Sequence, residues 1–152
     1  MDRMKILHTL LEREERRRDE ALTELRAAER QADAAHEQAD SLVTYRGEYR
    51  MRWAAQFAKS APIEIVRCYH GFVERLDQAI AAQQGSVLQM EQRVKLARER
   101  LHYREVKVAT VRRLIERRQA AALLQLQRRE QKQGDEAAQR RAWLDRQALA
   151  AA

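Results

Sequence analysis

Apolar residues near the start of the chain recur at alternating spacings of three and four. One series opens at Met4, Leu7 and Leu11 and closes at Trp53 and Gln56. Twelve of its sixteen places are apolar, the exceptions being Glu14, Arg18, Arg46 and Gln56. A second series opens at Val66, Tyr69 and Val73 and closes at Ala122 and Gln125. Fourteen of its eighteen places are apolar, with Gln83, Arg104, Arg118 and Gln125 as exceptions. A three–four repeat held over this many heptads predicts two supercoiled helices.

Between the series stands Ser60-Ala61-Pro62-Ile63-Glu64, with the only proline of the chain. Ser60 suits a helix cap, Pro62 a first turn whose N–H groups lack partners, and Glu64 the positive end of a helix. Folding the chain here pairs positions whose numbers sum to about 122. Ala28 then faces Val94, Ala32 faces Met90, Ala35 faces Val87, Leu25 faces Ala97, Leu11 faces Val111 and Trp53 faces Tyr69. Small residues meet large ones, as close packing asks. A parallel homodimer would instead set Ala against Ala. The expected fold is all-α, an antiparallel two-helix coiled-coil hairpin formed within one chain. Its first helix covers about residues 2–59, the turn 60–62 and the second helix about 63–145. At ~1.5 Å per residue the arms would run roughly 85 Å and 125 Å. Position 121 pairs with the N-terminus, so an overhang of about thirty residues is expected from about residue 122. One defect stands out: Arg18 faces Arg104. Either both heads snorkel outward or Glu14, one turn away, offsets part of the charge.

Composition narrows the class further. Two Phe, two Trp and one Pro among 152 residues, against 53 charged ones, suit a narrow helical seam better than a wide globular core. The longest uncharged stretch is the thirteen residues Gln78–Met90, short of the ~20 apolar residues of a membrane span. Glu12, Glu14 and Glu15 follow Leu10 and Leu11 too closely for a signal peptide. Cys68 is alone, which rules out an internal disulfide and suits a reducing, cytosolic compartment.

The net charge of +7 is unevenly placed. Residues 2–59 carry twelve basic and twelve acidic groups, whereas 93–118 hold ten basic and three acidic. That segment is either a solvated charged face or a surface for an acidic partner, whether nucleic acid, lipid or protein.

Catalysis lacks the residues it needs. His8, His36, His70 and His102 are spread along the chain, and the hairpin pairing brings no two together. Metal sites and triads need several groups converging on one point. No strand precedes a Gly-rich phosphate loop, and Cys68 and His70 do not share a helix face. No enzyme activity, metal or cofactor is expected.

Heptad letters expose a different kind of feature. With Ala39 and Val73 at position a, Gln38, Tyr45, Phe72 and Ala79 fall at g, and Leu42, Tyr49, Leu76 and Gln83 at d. In an antiparallel pair the g positions of both helices share an edge. A stripe rich in aromatic residues therefore lies along one side near the turn, as a thickened seam or as an interface anchor.

The same residues carry a resemblance. Tyr45-Arg46-Gly47-Glu48-Tyr49 resembles the Y-R-x-E-Y signature of the FliJ family, a small component of the bacterial flagellar type III export apparatus. Gly71-Phe72-Val73-Glu74-Arg75-Leu76-Asp77-Gln78-Ala79-Ile80 is similar to that family's F-x-x-x-L-x-x-A-I segment. Glu130-Gln131-Lys132 with Asp135-Glu136 resembles its C-terminal motif. The likeness runs from about residue 7 to about 141.

It implies a coiled-coil stalk that joins the hexameric export ATPase to the membrane export gate and helps cycle substrate chaperones. Such a protein would be cytoplasmic and peripheral to the inner membrane. The resemblance carries gate binding onto Gln38, Leu42, Tyr45, Tyr49, Phe72, Leu76 and Ala79. Gln83 stands where the family can carry His. Arg112, Arg113, Arg117 and Arg118 would then form a basic stem facing the ATPase. A virulence-type secretion stalk shares the architecture, but Gly71-Phe72 and the Y-R-x-E-Y stretch favour the flagellar branch. A basic nucleic-acid-binding helix fits less well. Val108, Val111 and Ile115 interleave the basic residues, where a zipper protein keeps a nearly pure basic block.

Overall fold

A computed structural model describes residues 2–151. Helix α1 spans Arg3–Phe57 and helix α2 spans Ile63–Ala151, and the two pack against each other as an all-α hairpin with no strand among the described residues. At the start of α1, Asp2 acts as the cap. Its Oδ1 accepts a hydrogen bond from the Met4 N–H at 3.1 Å, and its carbonyl accepts from Lys5 and Ile6.

The turn differs in detail from the sequence expectation. The Lys59 N–H bonds the Gln56 carbonyl at 3.1 Å, closing α1. Ser60 is not the cap of α2; it reverses the chain with φ 140°, a region that disfavours a Cβ. The carbonyl of Pro62 takes the first bonds of α2, from Ile65 at 3.1 Å and Val66 at 3.2 Å. Glu64 lies in that first turn, beside the unpaired N–H groups.

The chain divides into two compact units, Glu15–Val106 around the turn and Met1–Glu14 with Lys107–Ala152. In the turn unit, Leu25, Ala32, Val94 and Ala97 form a buried cluster with Ala28, Met90 and Leu101 packed on it. Ala opposite Val or Met lets the helices approach closely, and the bulkier partner fills the space. In the terminal unit, Leu7, Val111 and Ile115 form the core, flanked by Met4, Leu10 and Leu11. All thirteen buried apolar residues among those described lie on the two three–four series. Beyond Ile115 every described residue is exposed.

The polar places of the seam have local solutions. Arg18 turns its Nε and Nη2 to Asp19 Oδ1, at 3.1 and 3.0 Å. The Arg104 guanidinium lies 5.4 Å from the centre of the Tyr103 ring. Arg46 reaches across the seam to Asp77 at 2.8 Å, and Arg50 approaches the other Asp77 oxygen at 3.6 Å. Gln83 donates its side-chain amide to the Ala35 carbonyl at 3.1 Å. Arg46 and Gln83 are thus seam positions used to bond the facing helix.

Candidate functional site

The heptad pattern turns aromatic as α1 nears the turn, and the rings of both helices meet there. Tyr49 stacks on Tyr69 at 5.6 Å between ring centres, and Phe72 tilts against it at 4.7 Å. Trp53 lies 6.1 Å from Tyr49 and 6.4 Å from Tyr69, and Phe57 meets Tyr69 edge-on at 5.1 Å. Tyr45 extends the array outward, 6.2 Å from Tyr49 and 6.5 Å from Phe72. Such offset and edge-on pairs each add about 0.5–1.5 kcal/mol beyond area burial. Tyr45 nevertheless keeps 47% of its surface open.

The eight stripe residues do not share one environment. Gln38, Tyr45 and Ala79 are exposed, while Leu42, Tyr49, Phe72 and Gln83 are half-buried. Leu76 is 9% exposed and belongs to the seam. Gln83 is held by the Ala35 carbonyl. The accessible part of the stripe is therefore Gln38, Tyr45 and Ala79, with Tyr49 and Phe72 behind it. Sequence reasoning passed over Phe57 and Ile65 in this region. Ile65 is 42% exposed and shares the heptad letter of Phe72, one heptad earlier, so the signal was present in the spacing.

In the terminal unit, Arg112, Arg113, Arg117 and Arg118 are all exposed on α2. Leu114, Leu123, Leu124 and Leu126 are also exposed among and beyond them. No group of three or more His, Cys, Asp or Glu able to hold a metal occurs among the described residues. His36 pairs instead with Glu91, at 2.9 Å.

A family model described as "Flagellar FliJ protein" matches residues 4–147. The chain belongs to the FliJ family. The FliJ protein of Salmonella typhi is similar along almost all of it, 31% identical over 136 residues that cover 90% of this chain and 92% of that relative. No solved structure matches. FliJ membership makes the chain a flagellar export-associated protein. No helix among the described residues is long and apolar enough to cross a membrane.

Proposed function

We propose that this FliJ-family chain is a stalk-like coiled coil that couples the flagellar export ATPase hexamer to the membrane export gate and assists the cycling of substrate chaperones. The gate docks on the edge beside the turn. Tyr45 and Phe72 are its anchors, with Gln38, Leu42, Tyr49 and Ala79 around them. Leu76 and Gln83 act from beneath, Leu76 by packing the seam and Gln83 by tying α2 to the Ala35 carbonyl. The ATPase is met in the terminal unit through Arg112, Arg113, Arg117 and Arg118, and these contacts hold the chain at the cytoplasmic side of the membrane. It has no catalytic role of its own and no specific nucleic-acid target.

The observation that carries the reading is the aromatic array. Half-exposed Tyr and Phe rings, pre-packed on one another, lose little freedom when a partner covers them. The arginines support the second contact, because charge-led docking needs exposed like charges and weakens as salt shortens the screening length from ~10 Å at 0.1 M to ~3 Å at 1 M. The test separates the two surfaces. Reversing Arg112, Arg113, Arg117 and Arg118 to Glu should abolish ATPase association, which in the parent should be strongly salt-sensitive. Gate binding through Tyr45 and Phe72 should survive both treatments. Retained ATPase affinity in the reversed protein, with loss of the gate, would exchange the two assignments.

A further inference from the structure

The accessible aromatic edge does not stop at Phe72. A groove of about 490 Å³ continues it toward the turn, lined by Tyr49, Trp53, Ile65, Cys68, Tyr69 and Phe72. The α2 contributors fall at 65, 68, 69 and 72, which is one face of a helix. Ile65 and Cys68 are exposed, and the ring faces of Tyr49, Trp53 and Tyr69 are half-covered, so the groove is apolar and open.

Its charged rim is asymmetric. Glu64 and Arg75 also border it, eleven residues apart on α2, hence roughly 16 Å from one end of the groove to the other. Glu64 lies in the first turn of α2, where the helix terminus already uses a negative charge. Arg75 has no ion pair among the described residues and bonds only the Gly71 carbonyl, at a long 3.4 Å. The charge left for a partner is therefore positive, and it sits at the end of the groove that borders Phe72.

Resting on the gate reading above, we propose that the gate-binding surface extends one heptad past Phe72 into this groove. Its occupant is a segment of the same gate protein that inserts an apolar side chain between Trp53, Ile65 and Tyr69 and sets a carboxylate on Arg75. Continuity with the Tyr45–Phe72 edge and the unspent cation select this occupant over a second copy of the chain. A second copy would bring its own Arg75 and an overall charge of +7 to the contact.

Cys68 is the only cysteine and is exposed in the groove wall, so the full-length protein carries its own reporter. The rate at which a maleimide dye labels Cys68 is measured with and without the cytosolic domain of the export gate, alongside gate affinity for Tyr45→Ala, Phe72→Ala, Ile65→Ser and Arg75→Glu. Bound gate domain should slow labelling about tenfold or more, and Ile65→Ser and Arg75→Glu should each weaken gate binding about tenfold with helicity unchanged. Labelling at the free rate, with parental affinity in Arg75→Glu while Tyr45→Ala still weakens binding, overturns the groove and leaves the edge intact. Parental affinity in both Tyr45→Ala and Phe72→Ala removes the gate reading itself. Protection of Cys68 by the ATPase or a chaperone but not by the gate domain assigns the groove to another partner and overturns the proposal.

Discussion

Truncating Leu76 and Tyr45 to Ala should have opposite consequences, although both lie on the same stripe. Leu76 is 9% exposed at a d position and packs in the seam of the turn unit. Replacing a core Leu by Ala costs about 2–5 kcal/mol, and a two-helix seam with solvent on both sides can relax, so about 2–3 kcal/mol is expected here. Tyr45 is 47% exposed and touches only the edges of the array, through Tyr49 at 6.2 Å and Phe72 at 6.5 Å. Two such ring contacts at about 0.5–1.5 kcal/mol each would cost about 1–3 kcal/mol, and the half-exposed setting of Tyr45 puts the loss of fold stability at the low end, about 1 kcal/mol. Urea unfolding followed by helical circular dichroism separates the cases. With a slope of about 1–3 kcal/mol per molar urea, Leu76→Ala should move the midpoint down by about 1 M or more, and Tyr45→Ala by a few tenths. Calorimetric titration with the gate domain should rank them in reverse, with Tyr45→Ala losing about 2 kcal/mol of binding as an anchor residue. Equal loss of stability in the two variants would mean that Tyr45 is seam rather than surface, and the docking edge would fail with it.

Two further perturbations test the packing. Replacing Ala32 and Met90 by Cys, with Cys68→Ser, should give a disulfide within one chain at dilute concentration, because both residues belong to one cluster across the seam; a product that is only dimeric on non-reducing gels refutes the intramolecular hairpin. Gly85→Ala should raise stability by about 1 kcal/mol, since a Cβ there meets nothing within 4 Å and Gly is a poor helix former; a lower unfolding midpoint would mean that this stretch of α2 is not regular helix.

The seam was legible in the chain because a heptad repeat states which residues face inward without reference to any distant element. Leu25, Ala32, Val94 and Ala97 were assigned to it by spacing alone, and they form the core of the turn unit. The heptad letters also set Tyr45 and Phe72 on one edge, and their ring centres lie 6.5 Å apart. Side-chain direction was not legible. Arg18 was placed opposite Arg104, yet its stem can swing through several bonds, and the head settles on Asp19. Leu76 and Gln83 share their heptad letter with Leu42 and Tyr49, and letters alone could not say that Leu76 is fully packed or that Gln83 bonds the Ala35 carbonyl. Ser60 was misread for a related reason. A cap and a reversal residue draw on the same small polar types, and only φ separates them.

The seam changes character near the turn. From Ala21 to Ala39 its α1 positions are Ala or Leu, and close approach buries them, as Ala32 and Ala35 illustrate at 7% and 8% exposure. From Tyr49 onward the seam has to accommodate Tyr, Trp, Tyr and Phe in the space that had held an Ala and a Val. Two helices cannot enclose that many rings, because a seam is one residue layer deep and lacks a third element to close it. The rings spread sideways instead. No residue from His36 to Phe72 is buried, although six aromatic side chains of that interval touch one another. A chain selected only for a stable hairpin would keep the Ala-to-large pattern to its end. Placing the bulkiest side chains where they cannot be covered leaves stability unrealised in the free protein, and a partner that supplied the missing third wall, as proposed above, would recover it on binding.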